Sequence, residues 1–303
     1  WYLKLVDADG VQPYAIIPGV FLGADAHAFI QVLDGAAGAS TYHRFPLDEF
    51  HAAADTFDVR IGRSTFSRSG ISLDIAHGDT DCHQHVNGMV KFDEWRGWPV
   101  TLARPGVMGP YRFVPFMECN HGILSMDHGL AGNMTVDGKA TVFDGGRGYC
   151  EKDWGRSFPR GYLWGQSNHF TDPGVSVIVS VARIPWMGSA FRGHIVCLLL
   201  RGRLYRFTTY MGSRLEHIAI DDNSCELVVQ DKQHRIEIHA NRTRGALLHA
   251  PYDKQMTERV AESMTSRIDI RLQDAGQKDV IFEGGGRHGC LEVQGDLDSI
   301  LHD

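Results

Sequence analysis

The sequence predicts an all-β protein of mainly antiparallel strands with few short helices, and three observations support this fold class. Short runs that alternate apolar with polar residues, or that are β-branched, recur along the chain and end at Gly, Pro or Asp-Gly. The 34 glycines suit many turns and bulges. Strand segments do not alternate with long helical segments, which argues against a doubly wound sheet and favours antiparallel barrels or sandwiches.

Individual strands follow from these runs, and two of the turns between them can be placed. Asp137-Gly138 in NMTVDGKATVF and Gly202 in LLLRGRLYRF each separate two strand-like runs, as expected for β-hairpins. In chain order, the candidate strands are YAIIPGVFL, HAFIQVLDG, FDVRIGRSTFS, ISLDIA, VSVIVSVARI, GHIVCLLLRG, RLYRFTTYMG, CELVVQ, RIEIHA, SRIDIRLQ and DVIFEGG.

Helical periodicity is scarce. The segment 46–55, PLDEFHAAAD, opens with Pro46, a residue that favours the first turn of a helix, and it is predicted as one short helix. The segment 253–263, DKQMTERVAES, is a second and weaker candidate. Neither segment would change the fold class.

The composition excludes some classes of function. The net charge of −7 argues against a nucleic-acid-binding protein, which would usually carry a basic surface. The most apolar short stretch, 195–200, has the length of a strand and is far too short for a transmembrane helix. We therefore expect a cytoplasmic protein. The chain begins at Trp1 rather than Met, which leaves open a targeting segment ahead of it.

Metal ligands are not expected. The six cysteines are dispersed and none belongs to a C-x-x-C pair, so free and mostly buried thiols are predicted. The loop 76–88 lacks a paired zinc motif, and a polar surface loop is favoured over a zinc site. It nevertheless contains several groups of the kind that bind zinc: Asp79, Asp81, Cys82, His83 and His85.

A weak internal repeat suggests two similar halves. The segment VFDGGRGY at 142–149 is similar to IFEGGGRHG at 281–289, and both contain an apolar pair, an acid, glycines and an arginine. The first lies near the middle of the chain and the second near its end. Each half would therefore contain the same kind of glycine-rich segment.

The first chemically notable cluster is GYCEKDWGRSFPRGYLWGQSNHF, at 148–170. On a strand from Cys150 to Trp154, side chains alternate, so Glu151 and Asp153 share one face with Cα atoms about 6.6 Å apart. In a poorly hydrated cavity, repulsion and desolvation would raise at least one carboxyl pKa and create a proton donor at neutral pH. The alternative is a solvated face on which both acids pair with arginines.

The strand after Pro159 carries aromatic side chains and amides on one face. Tyr162, Trp164, Gln166 and Asn168 share this face. Buried amides need hydrogen-bond partners, and a mostly apolar wall with a few polar groups is typical of a ligand pocket. An interface or a fully hydrogen-bonded core remains the alternative.

The segment FVPFMECNHGILSMDHG, at 113–129, is a second cluster. Glu118 lies in apolar surroundings, where a carboxyl group is either paired or functional. His121 occupies the opposite face, and Asp127 follows at the far end of the segment. A structural acid paired with an arginine is the alternative interpretation of Glu118.

Larger segments of the sequence resemble a known family. The shared features are Trp1-Tyr2, the segment 115–121, the Glu151-Lys152-x-Trp154-Gly155 core with Phe158-Pro159, and the run Trp164-x-Gln166-Ser167-Asn168. These features cover most of the chain and resemble the tocopherol cyclase family, including its bacterial members. The resemblance implies two tandem lipocalin-like antiparallel β-barrels, as in the related carotenoid hydratases, at residues 1–147 and 148–303. It also implies a tryptophan on the first strand of each barrel, for which Trp1 and Trp154 are the candidates.

The resemblance further implies a cofactor-free reaction, formally that of an intramolecular lyase or isomerase. Plant members close a chromanol ring on a prenylated hydroquinone, where an acid protonates an alkene and the phenol oxygen captures the resulting cation. The substrate class expected here is an apolar or amphipathic small molecule, such as a prenylated phenol or polyene, with peripheral membrane contact during its uptake. A lipocalin-type carrier that binds its ligand without reaction is the alternative. The candidate acids are Glu118, Glu151 and Asp153, and the candidate substrate-binding residues are Trp154, Tyr162, Trp164, Gln166, Asn168, His121 and Asp127.

Overall fold

A computed structural model describes residues 1–76, 83–101, 105–114, 117–186, 188–252 and 254–302. It confirms the all-β class, because almost all regular structure is strand. The few helical elements are three 3-10 turns, Leu47–Glu49, Gly109–Phe113 and Thr209–Met211, and one short helix, α1, Asp298–Leu301. No helix in the described ranges combines the length and hydrophobicity that crossing a bilayer requires.

The strands form two antiparallel sheets that follow each other in the chain. The first sheet contains β1 (Tyr2–Val6), β2 (Pro13–Phe21), β3 (His27–Asp34), β4 (Ala39–Phe45), β5 (Phe50–Ala52), β6 (Asp58–Ile61), β7 (Ser64–Ser67), β8 (Gly70–Ile75), β9 (Val86–Asp93), β10 (Cys119–Val136), β11 (Lys139–Val142) and β12 (Gly146–Gly155). The second contains β13 (Gly161–Ser167), β14 (Ser176–Trp186), β15 (Ser189–Leu200), β16 (Arg203–Thr208), β17 (Arg214–Ile220), β18 (Ser224–Gln230), β19 (His234–Asn241), β20 (Ala246–Tyr252), β21 (Gln255–Asp274) and β22 (Val280–Gly295).

In the described residues the two sheets have similar strand orders, and the path of the first is two strands longer. The first runs β4-β3-β2-β1-β12-β10-β9-β8-β7-β6-β5, with β11 paired to β10, and the second runs β16-β15-β14-β13-β22-β21-β19-β18-β17, with β20 paired to β21. In each sheet the last strand, β12 or β22, lies beside the first, β1 or β13. The first glycine-rich segment leads into β12 and the second lies within β22, so both belong to the last strand of their half.

The change of sheet lies later in the chain than the sequence suggested. A boundary at 147–148 assigned β12 to the second half, whereas β12 pairs with β1 and β10 of the first sheet. The second sheet begins at Gly161. Trp154 therefore lies on the last strand of the first sheet and not on the first strand of the second. The glycine-rich segment marks the start of a last strand, which explains the misplacement.

Both predicted helices are wrong, and both predicted hairpins are confirmed. Only Leu47–Glu49 of the segment 46–55 is helical, and the segment then enters β5. The described part of 253–263 lies in β21. Asp137 and Gly138 have positive φ between β10 and β11, as a tight hairpin requires, and Gly202 does the same between β15 and β16.

Each sheet curls around its own apolar core. In the first sheet, Ile30 of β3 and Ile61 of β6 belong to one cluster although they lie near opposite ends of the strand order. In the second sheet, Leu198 of β15 and Leu227 of β18 do the same. Among the described residues no hydrogen-bonded pair joins the end strands, so side-chain packing draws each sheet into its lipocalin-like form.

A third apolar cluster lies between the sheets and positions the site. It combines Tyr2 and Tyr149 of the first sheet with Tyr162 and Trp164 of the second. Side chains alternate along a strand, so Leu3 and Leu5 of β1 pack in the core of the first sheet while Tyr2 and Lys4 face the second sheet. The faces of β1, β12, β13 and β21 that meet there also carry buried polar side chains, namely Lys4, Glu151, Gln166 and Glu262.

Candidate active site

Four carboxyl groups meet in this apolar region between the sheets. Glu151 and Asp153 project from β12, and Glu262 and Glu292 project from β21 and β22. Glu151 is 4% exposed and Glu262 is 1% exposed. Burial of a carboxylate without a cation is costly, so these groups must be neutral, hydrogen-bonded or paired.

A tyrosine hydroxyl donates a hydrogen bond to each of the three glutamates. Tyr149 donates to Oε2 of Glu151, two residues further along the same face of β12. Tyr2 crosses from the first sheet and donates to Oε1 of Glu262. The third pair stands within the second sheet, where the hydroxyl of Tyr162 lies 2.6 Å from Oε2 of Glu292.

A histidine adds a basic group that contacts two of the acids. His121 of β10 stands opposite Asp153 in the strand register, and its Nδ1 donates to Oδ1 of Asp153 over 2.7 Å. Its Nε2 lies 3.6 Å from Oε2 of Glu151. Burial lowers the pKa of His121, but the neighbouring charges of Glu151 and Asp153 outweigh it and raise the pKa to about 9. The charge of Asp153 and its hydrogen bond to His121 act in this direction even when Glu151 is neutral, so they favour the protonated imidazole.

The three glutamates bind protons more tightly than solvated carboxyl groups do. Burial raises the pKa of Glu151 to about 8, although His121 acts in the opposite direction. Burial also raises the pKa of Glu292 to about 7, against the hydrogen bond from Tyr162. Burial, reinforced by the charge of Glu292, raises the pKa of Glu262 well above its usual range. Neutral carboxyl groups, which can donate protons, thus exist here near pH 7.

Two unpaired hydrogen-bond donors lie on β13 beside these acids. Nε1 of Trp164 and Nε2 of Gln166 are buried and have no partner among the described residues. Nζ of Lys4 donates to Oε1 of Gln166 over 2.9 Å and so fixes which end of the amide is the free donor. A buried donor without a partner costs about 1–3 kcal/mol, which a ligand oxygen would recover.

The cluster has a more accessible side. The side chain of His121 is 14% exposed and that of Asp153 is 28% exposed. Glu292 is half-buried, whereas Glu262 is sealed. Phe158 packs against Tyr162 with ring centroids 5.8 Å apart and contributes an apolar wall near this side. His121, Asp153 and Glu292 are therefore the partly exposed members of the cluster.

Part of the set predicted from the sequence is brought together here. The cluster includes Glu151, Asp153 and His121, and the apolar region around it includes Tyr162 and Trp164. Gln166 lies two residues after Trp164 on the same face of β13. The prediction that Glu151 and Asp153 share a face agrees with their common contact to His121.

Two of the predicted residues lie outside the cluster on the surface side. Trp154 is 45% exposed and lies beside the ammonium group of Lys152, whose Nζ is 5.5 Å from the ring centroid. Trp154 and Asp153 are neighbours on a strand, so their side chains point to opposite faces. Glu118 is half-buried, and its backbone oxygen accepts a hydrogen bond from the Arg156 backbone. Neither side chain takes part in the hydrogen bonds of the cluster.

Asp127 and Asn168 form a separate polar group. Asp127 is buried and pairs with the guanidinium of Arg147, and Nδ2 of Asn168 donates to Asp127 and to the backbone oxygen of Gly148. Asp127 and Arg147 also line a polar cavity of about 390 Å³ together with His128. These contacts join β10, β12 and the residue that follows β13, and the predicted substrate-binding role of Asp127 and Asn168 stays a prediction.

Sequence reasoning missed Tyr2, Tyr149, Glu262 and Glu292 as site residues. Glu262 lies in the segment predicted as a helix, so its place on a strand face was not considered. Glu292 had a usable signal, because it follows Cys290 after the second glycine-rich segment much as Glu151 follows Cys150 after the first. The partners of Tyr2 lie 260 and 288 residues away, and no local pattern shows such contacts.

The ligand atoms of His121, Glu151 and Asp153 lie within 4.8 Å of one another, a spacing that a metal ion also requires. In this structure Nδ1 of His121 lies 2.7 Å from Oδ1 of Asp153, and its Nε2 lies 3.6 Å from Oε2 of Glu151. We therefore describe this group as a hydrogen-bonded ion pair. Part of the loop considered for zinc, including Asp79, Asp81 and Cys82, lies outside the described residues. The described cysteines are free thiols.

Comparison with known sequences agrees with the resemblance described above. A sequence model of the tocopherol cyclase-like family matches residues 70–295. The chain belongs to the tocopherol cyclase-like family. The probable tocopherol cyclase, chloroplastic, of Oryza sativa subsp. japonica is 28% identical over 212 residues, which cover 66% of this chain and 44% of the rice protein. The tocopherol cyclase, chloroplastic, of Zea mays is 28% identical over 214 residues, with the same coverage of 66% and 44%. The match thus spans less than half of either plant protein.

Solved structures share the fold of this tocopherol cyclase-like chain. Kievitone hydratase from Nectria haematococca aligns with a TM-score of 0.52 at 11% identity, over 97% of this chain and 88% of the hydratase. CghA in complex with Sch210972 aligns with a TM-score of 0.57 at 11% identity, over 98% of this chain and 88% of CghA. At such low identity the similarity concerns the arrangement of two sheets and does not extend to the side chains of the site.

Proposed function

We propose that this protein is a cofactor-free enzyme that adds an O–H group across an alkene of an isoprenoid-like substrate. Ring closure on a prenylated phenol is the first form of this reaction and hydration is the second. The observation that carries the proposal is the Glu151 carboxyl group, which is neutral near pH 7, buried in an apolar region and hydrogen-bonded by Tyr149. The names of the plant relatives and of kievitone hydratase support this reaction class.

Glu151 can serve as the proton donor. Tyr149 occupies its Oε2, so the acidic proton of the neutral group resides on Oε1 and is free for transfer. Protonation of a trisubstituted alkene leaves a tertiary carbocation. The rings of Trp164 and Tyr162 belong to the apolar cluster between the sheets, and a carboxyl oxygen of Asp153 lies within 4.8 Å of one of Glu151, so these groups can stabilise that charge. After transfer, His121 stabilises the Glu151 carboxylate from 3.6 Å.

The unpaired donors of Trp164 and Gln166 can orient the oxygen nucleophile. An oxygen held by both N–H groups is fixed relative to the alkene, and such positioning lowers the barrier by removing orientational freedom. The same donors equally favour a second function, that of a carrier whose ligand oxygen they bind without reaction. The enzyme needs a neutral Glu151 as its proton donor, whereas the carrier does not, so an experiment on Glu151 can distinguish the two functions.

The test uses purified protein with a panel of prenylated hydroquinones, and product formation is followed by mass-resolved chromatography. The variant Glu151→Gln keeps size and hydrogen-bonding capacity but removes the proton, and its rate should fall about 100-fold or more. Glu118→Gln is the matched control, because it makes the same chemical change at a half-buried acid outside the cluster.

Wild-type turnover with an equally active Glu151→Gln variant overturns the assignment of the donor. A ligand that co-purifies with the protein and is recovered unchanged after long incubation, with no turnover on the panel, favours the carrier instead.

A further inference from the structure

The second sheet contributes a carboxyl pair that the step above does not use. Glu262 of β21 and Glu292 of β22 stand directly opposite each other in the antiparallel register. Side chains at such positions have Cβ atoms about 4.5–5.5 Å apart and point to the same face of the sheet. The two carboxyl groups therefore face the region between the sheets as neighbours.

Two tyrosines hold this pair in place. Tyr2 donates to Oε1 of Glu262 from the first sheet, and Tyr162 donates to Oε2 of Glu292 from β13. No hydrogen bond from the described protein groups reaches Oε2 of Glu262. Oε2 is therefore the oxygen that can carry the carboxyl proton of Glu262.

The surroundings of the pair favour one shared proton. Two buried carboxylates side by side repel each other, so at most one ionises readily. Among the described residues no lysine or arginine forms an ion pair with either glutamate, and the nearby Lys4 donates to Gln166 and to the backbone oxygen of His288. The titratable groups that act on the pair are Tyr2 and Lys4 of β1, Cys119 of β10, Glu151 and Asp153 of β12, Tyr162 of β13, and Cys290 of β22.

We infer that Glu292 is the base that accepts the proton of the nucleophile. Glu262 is then a positioning residue, because its proton is shared with Glu292 in a hydrogen bond between the two carboxyl groups. The inference rests on the proposed function and supplies its missing half, because addition of O–H across an alkene releases one proton for each proton consumed. Glu292 belongs to the second sheet and Glu151 to the first, so acid and base flank a substrate bound between the sheets. Glu292 is the half-buried member and can return its proton to solvent, whereas Glu262 is sealed.

The step balances without an oxidant or reductant. The proton of Glu151 forms a C–H bond while the alkene π bond breaks and leaves a tertiary cation. The phenol or water oxygen forms the C–O bond, its O–H bond breaks, and that proton passes to the carboxylate of Glu292. Glu292 then loses a proton to solvent and Glu151 regains one, so both groups return to their starting states.

The pH profile of kcat/KM tests the inference, because an essential base gives a rising limb and an essential acid a falling limb. In the wild type we expect a rising limb near pH 7, a falling limb near pH 8 and a narrow optimum between them. Glu292→Gln should lose about 100-fold in rate at the optimum and also lose the rising limb.

Two substitutions of Glu262 separate positioning from simple structure. Glu262→Gln keeps a hydrogen-bond donor toward Glu292 and should leave the rising limb in place. Glu262→Met removes the donor and should move the rising limb to higher pH, since the ionised form of Glu292 loses its stabilising partner. A rising limb that survives in Glu292→Gln, or that stays fixed in Glu262→Met, overturns the inference.

A measurement without turnover distinguishes failure of the inference from failure of the proposed function. Infrared spectra of protein with isotope-labelled glutamate, recorded from pH 5 to pH 9, report how many glutamates carry protons. Loss of one proton from the pair near neutral pH, absent in Glu292→Gln, supports the shared proton even if no substrate is found. Two protons lost together at acidic pH refute the pair, whatever the activity.

Discussion

The stability of this protein should fall as pH rises through the neutral range, and Glu151 should contribute measurably to that fall. In the unfolded chain Glu151 loses its proton near its ordinary pKa of 4.5, whereas in the folded protein burial holds the proton up to about pH 8. Between these values the folded state binds one more proton than the unfolded state. Each additional pH unit therefore costs the folded state about 1.4 kcal/mol for this one group.

The substitution Glu151→Gln removes this proton from both states and should flatten the dependence by the same amount. The unfolding free energy of the variant minus that of the wild type should therefore increase by about 3 kcal/mol from pH 5 to pH 7. The prediction depends on the number of bound protons and not on any single contact energy.

Urea unfolding of both proteins at several pH values between 5 and 7 measures this difference. The dependence of unfolding free energy on urea should have the same slope in both proteins, which shows that equal surface is exposed. Parallel pH curves for wild type and variant would mean that Glu151 is ionised in the folded protein, and the assignment of a neutral proton donor would then fail.

Three further substitutions probe the surroundings of the site. Trp164→Phe removes an unpaired N–H group but keeps the ring, so the Kd of an oxygen-bearing ligand should rise about fivefold by calorimetry with no loss of melting temperature. Lys4→Met frees the amide of Gln166 and should raise KM more than it lowers kcat in steady-state assays. Asp127→Asn breaks the buried pair with Arg147 and should cost about 3–5 kcal/mol in urea unfolding while kcat stays at the wild-type value.

Local chemistry explains which parts of the fold could be predicted. Asp137 and Gly138 adopt positive φ, which few residue types tolerate, so their hairpin was visible in the sequence. The face shared by Glu151 and Asp153 follows from the two-residue period of any strand. Segment 253–263 was misassigned because its polar residues are compatible with a helix or a strand, and its pairing with β20 makes it a strand.

The rest of the site depends on contacts between distant parts of the chain. Tyr2 and Glu262 are separated by 260 residues and meet because the two sheets pack face to face. Whether an acid such as Glu292 is exposed or buried depends on the opposite sheet, and a one-dimensional pattern does not contain that information. Glu118 looked equally promising in the sequence, but it lies outside the region where the two sheets meet.

The similar strand orders of the two sheets have a consequence for the chemistry of the site. A symmetric pair of identical halves would place its last-strand glutamates in the same surroundings, and both would then have the same affinity for protons. Within one continuous chain each half is free to vary alone. Here His121 and Asp153 accompany Glu151 in the first half, whereas a second glutamate accompanies Glu292 in the other. The last-strand glutamates of the two similar halves thus have different neighbours, and such a difference is what a division of labour between acid and base requires.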